Sequence, residues 1–187
     1  MRLSQRAVPF EGLDSISRMR IAVARVHDLK AVRAAYGAAR ATQRGQGSVQ
    51  WPPFSDESIV AQAKLGQLQR VIDGHTLVGV FTVAYEDSAI WGERERGAHV
   101  YLHRIARAAG HLGRGLIVPV LDWGRAHCRD LKREGLRMYA WASNERLIDF
   151  YERHGFRVVE RRRLGNDPRL APHYHGNEFA LLERSAG

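Results

Sequence analysis

The residues best suited to chemistry lie between His99 and Phe156. An apolar strand there runs into Gly113-Arg114-Gly115 and then into a helix. Free N–H groups and the dipole at a helix start attract phosphate, and glycines let the backbone approach it closely. Tyr151 follows on a later helix, and a phenol of ordinary pKa, about 10, stays protonated at neutral pH and can donate a proton. The stretch predicts an enzyme that uses a phosphorylated acyl carrier.

This glycine turn differs from two other phosphate-binding motifs. The sequence contains no GxxxxGK[ST] pattern, which excludes a P-loop NTPase. Residues 110–115 have the spacing GxxGxG rather than GxGxxG, and no acidic residue follows at the distance typical of dinucleotide binding. A tight turn without a ligand is the alternative to a phosphate site.

Composition predicts one globular domain. The 187 residues are 44% hydrophobic and 26% charged, which suits a chain with a single core. The longest apolar run, Leu116 to Leu121, is too short to cross a bilayer, and the N-terminus lacks the apolar segment of a secretory signal. The single cysteine, Cys128, excludes an internal disulfide and a cysteine-based metal site. A cytoplasmic location, without membrane or metal, is the default expectation.

The net charge of +9 comes almost entirely from arginine, since only three of the 29 basic residues are lysines. Arginine binds phosphate and carboxylate through two parallel hydrogen bonds. An arginine-biased genome is the simpler explanation, and a small polyanionic ligand explains the charge as well as nucleic acid does. The basic residues are scattered, except for Arg161-Arg162-Arg163, and are not interleaved with aromatic residues. A nucleic-acid partner is therefore not favoured.

Periodicity and turn residues place these groups on the element order β-α-α-β-β-β-α-β-α-β-β. Residues 1–18 are predicted to be an N-terminal extension, and residues 19–187 a single α/β domain with a mixed sheet. The predicted elements around the chemistry are a strand at Val100–Arg107, a helix at Leu116–Glu134 ended by Gly135, a strand at Leu136–Ala142, a helix at Glu145–His154 and a last strand at His175–Leu182.

Residues 99–156 resemble the GNAT superfamily of N-acetyltransferases. Residues 112–117 are similar to the family's loop for the pyrophosphate of acetyl-CoA, although Leu112 and Ile117 replace the usual Gln or Arg and Gly or Ala. Asn144, Tyr151 and the pair Gly155-Phe156 form a block characteristic of the family. The resemblance implies a mixed, mostly antiparallel central sheet of about six to seven strands, flanked by about four helices.

The same resemblance implies acetyl-CoA as co-substrate, without a metal, and assigns residue roles. Tyr151 would be the general acid for the leaving thiolate, with a packed aromatic as the alternative. Asn144 would contact the coenzyme, with a helix cap as the alternative. The implied coenzyme-binding residues are Ile105, Ala106 and Arg107 through their backbone, Leu112, Gly113, Arg114, Gly115, Leu116 and Ile117 in the turn, and Asn144, Phe150 and Tyr151.

The base and the acceptor site are less defined by the sequence. His103 lies two residues before Ile105, so it is predicted to share that strand face and to take the amine proton. A hydrogen-bonded interior histidine is an equal alternative, and Glu86 or Asp87 could instead hold a cationic amine. The residues in segments that usually border the acceptor are Trp51, Phe54, Glu86, Asp87, Trp91 and Tyr101.

The predicted function is N-acetyl transfer from acetyl-CoA to a primary amine of a small molecule or peptide. Direct attack in a ternary complex is expected, because no nucleophilic Cys or Ser motif indicates a covalent intermediate. Two alternatives remain. A catalytically weak, GNAT-like coenzyme-binding or regulatory module is suggested by Leu112 and Ile117, and an RNA-associated acetyltransferase by the charge. A homodimer is left open.

Overall fold

A computed structural model describes residues 19–111 and 115–187. Seven strands form one sheet in the order β1-β2-β3-β4-β5-β7-β6. The strands are β1 (Met19–Val23), β2 (Leu68–Asp73), β3 (Thr76–Ala84), β4 (His99–Arg107), β5 (Gly135–Trp141), β6 (Arg157–Arg163) and β7 (Glu178–Ser185). The helices are α1 (Leu29–Gly45), α2 (Asp56–Lys64), α3 (Ser88–Trp91), α4 (Ile117–Asp130) and α5 (Glu145–Arg153). The predicted mixed, mostly antiparallel sheet is confirmed, since β4 and β5 are its one parallel pair within the described ranges.

The helices cover both faces of the sheet. Neighbouring residues of a strand point to opposite faces. Phe81 packs in a core with α4 and α5, whereas Val80 packs with α1 and α2. Leu102 likewise joins the α4–α5 core, whereas Tyr101 joins a third cluster with α3 and residues 164–181. One face therefore carries α4 and α5, and the other carries α1, α2 and α3.

Strands β4 and β5 separate along their length. They pair only at His99–Gly135, Val100–Leu136 and Tyr101–Arg137, although β4 continues to Arg107 and β5 to Trp141. Beyond Tyr101, β4 remains paired with β3 on its other edge. The sheet therefore has an opening between the second half of β4 and the second half of β5.

A β-bulge interrupts β4 beside this opening. Thr82 pairs with His103 but Val80 pairs with Ala106, so β4 holds one extra residue. Arg104 lies in the bulge with φ of 53°, a left-handed conformation that is uncommon for a residue with a side chain. The bulge changes the face to which the following side chains point.

Helix α4 ends four residues earlier than the sequence indicates. Lys132 (φ 55°) adopts the left-handed conformation, and the N–H groups of Lys132 and Arg133 bond to the carbonyls of Arg129 and Cys128. These two bonds are the Schellman arrangement that closes helices. The prediction that Gly135 ends the helix is wrong, since Gly135 begins β5. A Cβ atom there would collide with the carbonyl oxygen of Arg184 on β7.

A buried arginine joins three parts of the sheet. Arg137 donates to Glu183 from Nε (3.1 Å) and Nη2 (2.9 Å), and to the carbonyl of Arg94 at 2.8 Å. Its guanidinium carbon lies 4.3 Å from the ring centre of Trp91, and Nη1 donates to the hydroxyl of Tyr101 at 3.2 Å. Only 7% of the Arg137 side chain is exposed. This network fixes the connection between β3 and β4.

Three further observations complete the fold. The last strand begins at Glu178 rather than His175, because a 3₁₀ turn occupies Pro172–Tyr174. Cys128 is fully buried beneath α4, and burial raises the pKa of its thiol to about 11. In the described segments, no helix is both long and apolar enough to cross a membrane. The predicted extension, residues 1–18, lies outside those segments.

Candidate active site

The opening between β4 and β5 offers a free strand edge. Ile105, Ala106 and Arg107 lie there, and Ala106 and Arg107 pair with Val80 and Gly79 on the β3 side only. An unpaired strand edge accepts an extended chain as an additional strand through main-chain hydrogen bonds. The edge is therefore available to an extended ligand that carries amide groups.

Tyr151 lies on the α4–α5 face of the sheet. Its ring packs on the core that contains Leu102, Ile105 and Met138, and contacts Phe150 and Phe156 at 5.5 and 5.9 Å between ring centres. Burial alone raises the pKa of its hydroxyl to about 12. Tyr151 consequently carries its proton throughout the neutral range and is a donor rather than a base.

Asn144 is a helix cap in the structure. Its Oδ1 accepts the backbone N–H of Leu147 at 3.2 Å, at the start of α5. The capping alternative is therefore confirmed. The NH2 group of the Asn144 side chain takes no part in the cap and is the group that a coenzyme contact would use. The other end of α5 closes on Gly155 (φ 84°), with the N–H of Phe156 bonded to the carbonyl of Tyr151. Both ends of the helix that carries Tyr151 and Phe150 are thus fixed.

The predicted pyrophosphate turn is only partly described. Leu112, Gly113 and Arg114 fall in the gap between residues 111 and 115. Gly115 has φ of 54° immediately before α4. The side chains of Leu116 and Ile117 are 5% and 7% exposed and belong to the α4–α5 core. Ile117 therefore directs its branched side chain into the protein, so any contact with phosphate would come from the backbone.

His103 and Asp87 meet on the opposite face of the sheet. The Nε2 atom of His103 lies 3.5 Å from Oδ2 of Asp87. The side chains of His103 and Asp87 are 16% and 15% exposed. Burial and then the Arg104 charge lower the pKa of His103 to about 4. Burial, and a smaller repulsion from Glu95, raise the pKa of Asp87 to about 7, with the N–H of Ile90 opposing. Burial thus disfavours the charged form of both partners.

The expected position of His103 on the face of Ile105 is wrong. The His103 ring lies parallel to Tyr101 at 6.2 Å and 5.3 Å from the ring of Tyr139, both in the cluster around α3. Ile105 packs on the other face, in the α4–α5 core. The bulge at Arg104 lies between them and reverses the alternation. His103 and Tyr151 therefore lie on opposite faces of the sheet.

Two predicted acceptor residues lie in an aromatic cluster beside α1. Trp51 and Phe54 contact Tyr36, with ring centres 6.3 and 4.8 Å apart. The guanidinium carbon of Arg104 lies 4.4 Å from the ring centre of Phe54. Glu86, also predicted for the acceptor site, is exposed next to Asp87. Sequence analysis missed Arg104, because the bulge that turns it towards this cluster has no local sequence signal.

Trp91 and Tyr101, the remaining predicted acceptor residues, are core residues. Both side chains are fully buried, with ring centres 5.8 Å apart. The Tyr101 hydroxyl is hydrogen-bonded to Arg137 and Glu95, and burial raises its pKa. Neither ring presents a surface to a ligand.

Two tyrosines that sequence analysis did not select, Tyr139 and Tyr174, form a polar pair beside His103. The hydroxyls of Tyr139 and Tyr174 lie 3.2 Å apart. Burial, with smaller contributions from Tyr174 and Asp87, raises the pKa of Tyr139. The pair lies beside His103, on β5 and on the 3₁₀ turn before β7. Their proximity depends on the β4–β5–β7 strand order, which sequence spacing does not show.

The basic run Arg161-Arg162-Arg163 has structural partners. Arg161 donates to the carbonyl of Ala142 and to Glu145, Arg162 to the carbonyl of Ile90 and to Glu160, and Arg163 to the carbonyl of Gly176. These contacts fix β6 to neighbouring loops. No group of three or more metal-ligating side chains occurs in residues 19–111 and 115–187.

A cavity of about 420 Å³ lies elsewhere, at the β1 edge of the sheet. Its lining consists of residues 22–26, Ala63, Lys64 and Arg70. None of the predicted site residues contributes to it. The opening between β4 and β5 therefore remains the candidate site.

Comparison with known proteins gives a consistent picture. Residues 38–156 match the model of the acetyltransferase (GNAT) family. The uncharacterized N-acetyltransferase YesJ of Bacillus subtilis is 30% identical over 73 residues, which are 39% of this chain and 41% of YesJ. The chain thus matches less than half the length of that relative.

Solved structures share the fold over nearly the whole chain. A GNAT-family acetyltransferase from Listeria monocytogenes has a TM-score of 0.69 at 19% identity, covering 89% of this chain and 94% of that protein. The structure of yncA from Salmonella typhimurium with acetyl-CoA has a TM-score of 0.63 at 14% identity, covering 91% and 95%. At these identities the similarity establishes the fold.

Proposed function

We propose, from the premise that this chain belongs to the acetyltransferase (GNAT) family, that it transfers the acetyl group of acetyl-CoA to a primary amine. The observation that carries the proposal is the opening of the sheet after the Tyr101–Arg137 pair, together with a partly buried, protonated Tyr151 that packs on the same core as Ile105 of the free edge. Thioester aminolysis requires a site that holds the coenzyme and a group that gives a proton to the departing thiolate. The free strand edge and Tyr151 are the parts proposed for these two roles.

The coenzyme would be held by three parts of the chain. The free edge of Ile105–Arg107 pairs with its amide-containing arm, and the start of α4 with the preceding turn holds its pyrophosphate. The side-chain amide of Asn144 is a further donor. A backbone N–H of β4 polarises the thioester carbonyl as negative charge develops on its oxygen.

The reaction then needs two proton transfers. The amine nitrogen attacks the carbonyl carbon, the C–N bond forms, and the C–S bond breaks. Tyr151 gives its proton to the departing thiolate. The proton lost by the amine goes to the His103–Asp87 pair, in which the pKa of Asp87 of about 7 suits a base that operates near neutrality.

Two measurements test the proposal. Titration with acetyl-CoA up to millimolar concentration is expected to raise the melting temperature, because a ligand that binds only the folded state stabilises it. Release of free thiol is then measured with acetyl-CoA and a panel of primary amines, and with each reactant omitted. Absence of a melting shift contradicts the coenzyme assignment, and a shift without amine-dependent thiol release indicates a binding module instead of an enzyme.

A further inference from the structure

Arg104 has an unfulfilled donor beside the opening. Its guanidinium lies over Phe54, 4.4 Å from the ring centre, and its Nη1 atom is buried. Among the described residues, Nη1 has no hydrogen-bond partner. An arginine with a buried, unpaired donor is costly to a protein, and such groups call for a bound partner.

The backbone of Arg104 supports the same interpretation. Its φ of 53° places a long side chain in a conformation that glycine normally adopts. Such strained residues concentrate where a ligand is held. Because of the bulge, His103 and Arg104 both leave β4 on the face away from α4 and α5, towards Tyr139 and Phe54 respectively.

A second orphan polar atom lies in the same cluster. The hydroxyl of Tyr36 is buried without a hydrogen-bond partner in the described part of the chain. Its ring contacts Phe54 at 4.8 Å. Burial raises the pKa of this hydroxyl to about 12, and the nearby Arg104 charge acts in the opposite direction. A protonated phenol and a guanidinium together are donors for an anion.

An acidic side chain lies on the other side of His103. Oδ2 of Asp87 is 3.5 Å from Nε2 of His103. No ion pair joins Asp87 to Arg104 within the described residues. The face of the sheet that carries His103 thus holds an acidic group and a basic group that are not paired with each other.

We infer that the acceptor is a free amino acid with an apolar side chain. Arg104 and Tyr36 bind its carboxylate, Asp87 and His103 face its amine, and the Trp51–Phe54 segment contacts its side chain. This inference rests on the proposed function and specifies its substrate class. A polyamine would place a second cation against Arg104, and the N-terminus of a peptide has an amide where the carboxylate would be.

The experiment compares each of the twenty common L-amino acids with its amide. Thiol release is measured with acetyl-CoA, and binding is measured separately by calorimetry in the presence of coenzyme A. The variants are Arg104→Gln, Arg104→Lys and, as a matched control, Arg20→Gln on the exposed face of β1. Melting curves show whether each variant folds, and Arg104→Lys retains the charge should Arg104→Gln not fold.

The wild-type protein is expected to prefer at least one apolar amino acid to its amide by about tenfold to a hundredfold in kcat/KM and in affinity, since the contact is a charged hydrogen bond. Arg104→Gln is expected to lower kcat/KM and affinity for the amino acid more than for its amide, so that the preference is lost. Arg20→Gln should retain it. Arg104→Lys should retain part of it, because an ammonium replaces the fork by a point charge.

The inference is overturned if no amino acid is preferred to its amide, or if Arg104→Gln lowers both equally. In that case, thiol release with other amines leaves the proposed acetyl transfer intact. Conversely, amino-acid binding that depends on Arg104 without thiol release supports the carboxylate site and contradicts the acetyl transfer.

Discussion

The Nε2 atom of His103 on β4 lies 3.5 Å from Oδ2 of Asp87, which follows β3. The pair is formed because β3 and β4 are antiparallel neighbours and His103 points to the same face as Tyr101, two residues earlier on β4. Under the proposed acetyl transfer, this pair is the proton acceptor.

Asp87→Asn is expected to lower kcat/KM by about 10²- to 10⁴-fold, the usual contribution of a general base. In the wild-type protein the rate should rise with pH through about 7, as Asp87 loses its proton. The variant should lack this inflection. The measurement is the pH profile of kcat/KM from about pH 5.5 to about pH 9. Glu93→Gln, at an exposed position, is the control. An unchanged inflection in Asp87→Asn would assign it to another group.

The same substitution is expected to change the pH dependence of stability. The folded-state pKa of Asp87 is raised from 3.8 to about 7, so the folded protein holds a proton that the unfolded chain releases. Stability from this group therefore falls as pH rises through that window. Asp87→Asn should gain about 2 kcal/mol relative to wild type between pH 5 and pH 8 in urea unfolding.

His103→Gln provides the reciprocal test. The pKa of His103 is lowered from 6.5 to about 4, so its contribution to stability is lost as pH falls below 6.5. The variant should therefore gain stability relative to wild type as pH falls from 7 towards 4. Burial predicts opposite pH dependences for the two variants, since Asp87→Asn should gain stability as pH rises. If His103→Gln also gained stability as pH rises, burial would not be the cause of both pKa shifts.

Tyr151→Phe is expected to lower kcat by about 10²- to 10⁴-fold, since it removes the proton donor and little else. Burial alone shifts the pKa of the Tyr151 hydroxyl, so the substitution breaks no contact with a charged group. The packing of the ring should therefore be retained. Acetyl-CoA affinity by calorimetry should change little. Tyr85→Phe, at the exposed position that follows β3, is the control. Full activity of Tyr151→Phe would remove the acid role and leave the coenzyme site untouched.

Arg137→Met is expected to reduce the free energy of unfolding by about 3–5 kcal/mol, because Glu183 would keep a partly buried charge without its main partner. Arg157 pairs with the same carboxylate at 3.1 Å, but its side chain is 76% exposed. Arg157→Met should therefore cost less than about 1 kcal/mol. Equal losses in denaturant unfolding would show that burial is not what distinguishes the two contacts.

Gly135→Ala is expected to destabilise the protein by at least about 2 kcal/mol, because the new methyl group meets the carbonyl of Arg184 and neither backbone can move without disrupting the β5–β7 pairing. Gly165→Ala is the control, since open space surrounds that position. Thermal unfolding of both variants gives the comparison. A small loss in Gly135→Ala would mean that β5 and β7 tolerate a local separation.

Short-range relationships were predictable from the sequence. The cap of Asn144 joins residues three positions apart, and the Gly155-Phe156 closure of α5 spans five. The order of helices and strands along the chain and the family resemblance followed from such local patterns. These features depend on residues that are neighbours along the chain, so their types and spacing are sufficient to indicate them.

Contacts between distant segments were not predictable in the same way. Trp91 lies in a polar connection, yet it is buried because Arg137 stacks on it from β5. The helix α4 ends at a lysine in the left-handed conformation, and the glycine that suggested its end is required by β7. Ile105 lies on the face opposite to His103 because a bulge in the pairing of β4 with β3 falls between them.

The burial of Cys128 has a practical consequence for enzymology. The chain has one cysteine, and its side chain is fully covered with its thiol pKa raised to about 11. Colorimetric thiol reagents react with the thiolate form of cysteine. The native protein should therefore contribute almost no background signal, so the colour that develops with acetyl-CoA and an amine reports liberated coenzyme A, even at high protein concentrations chosen to detect slow turnover.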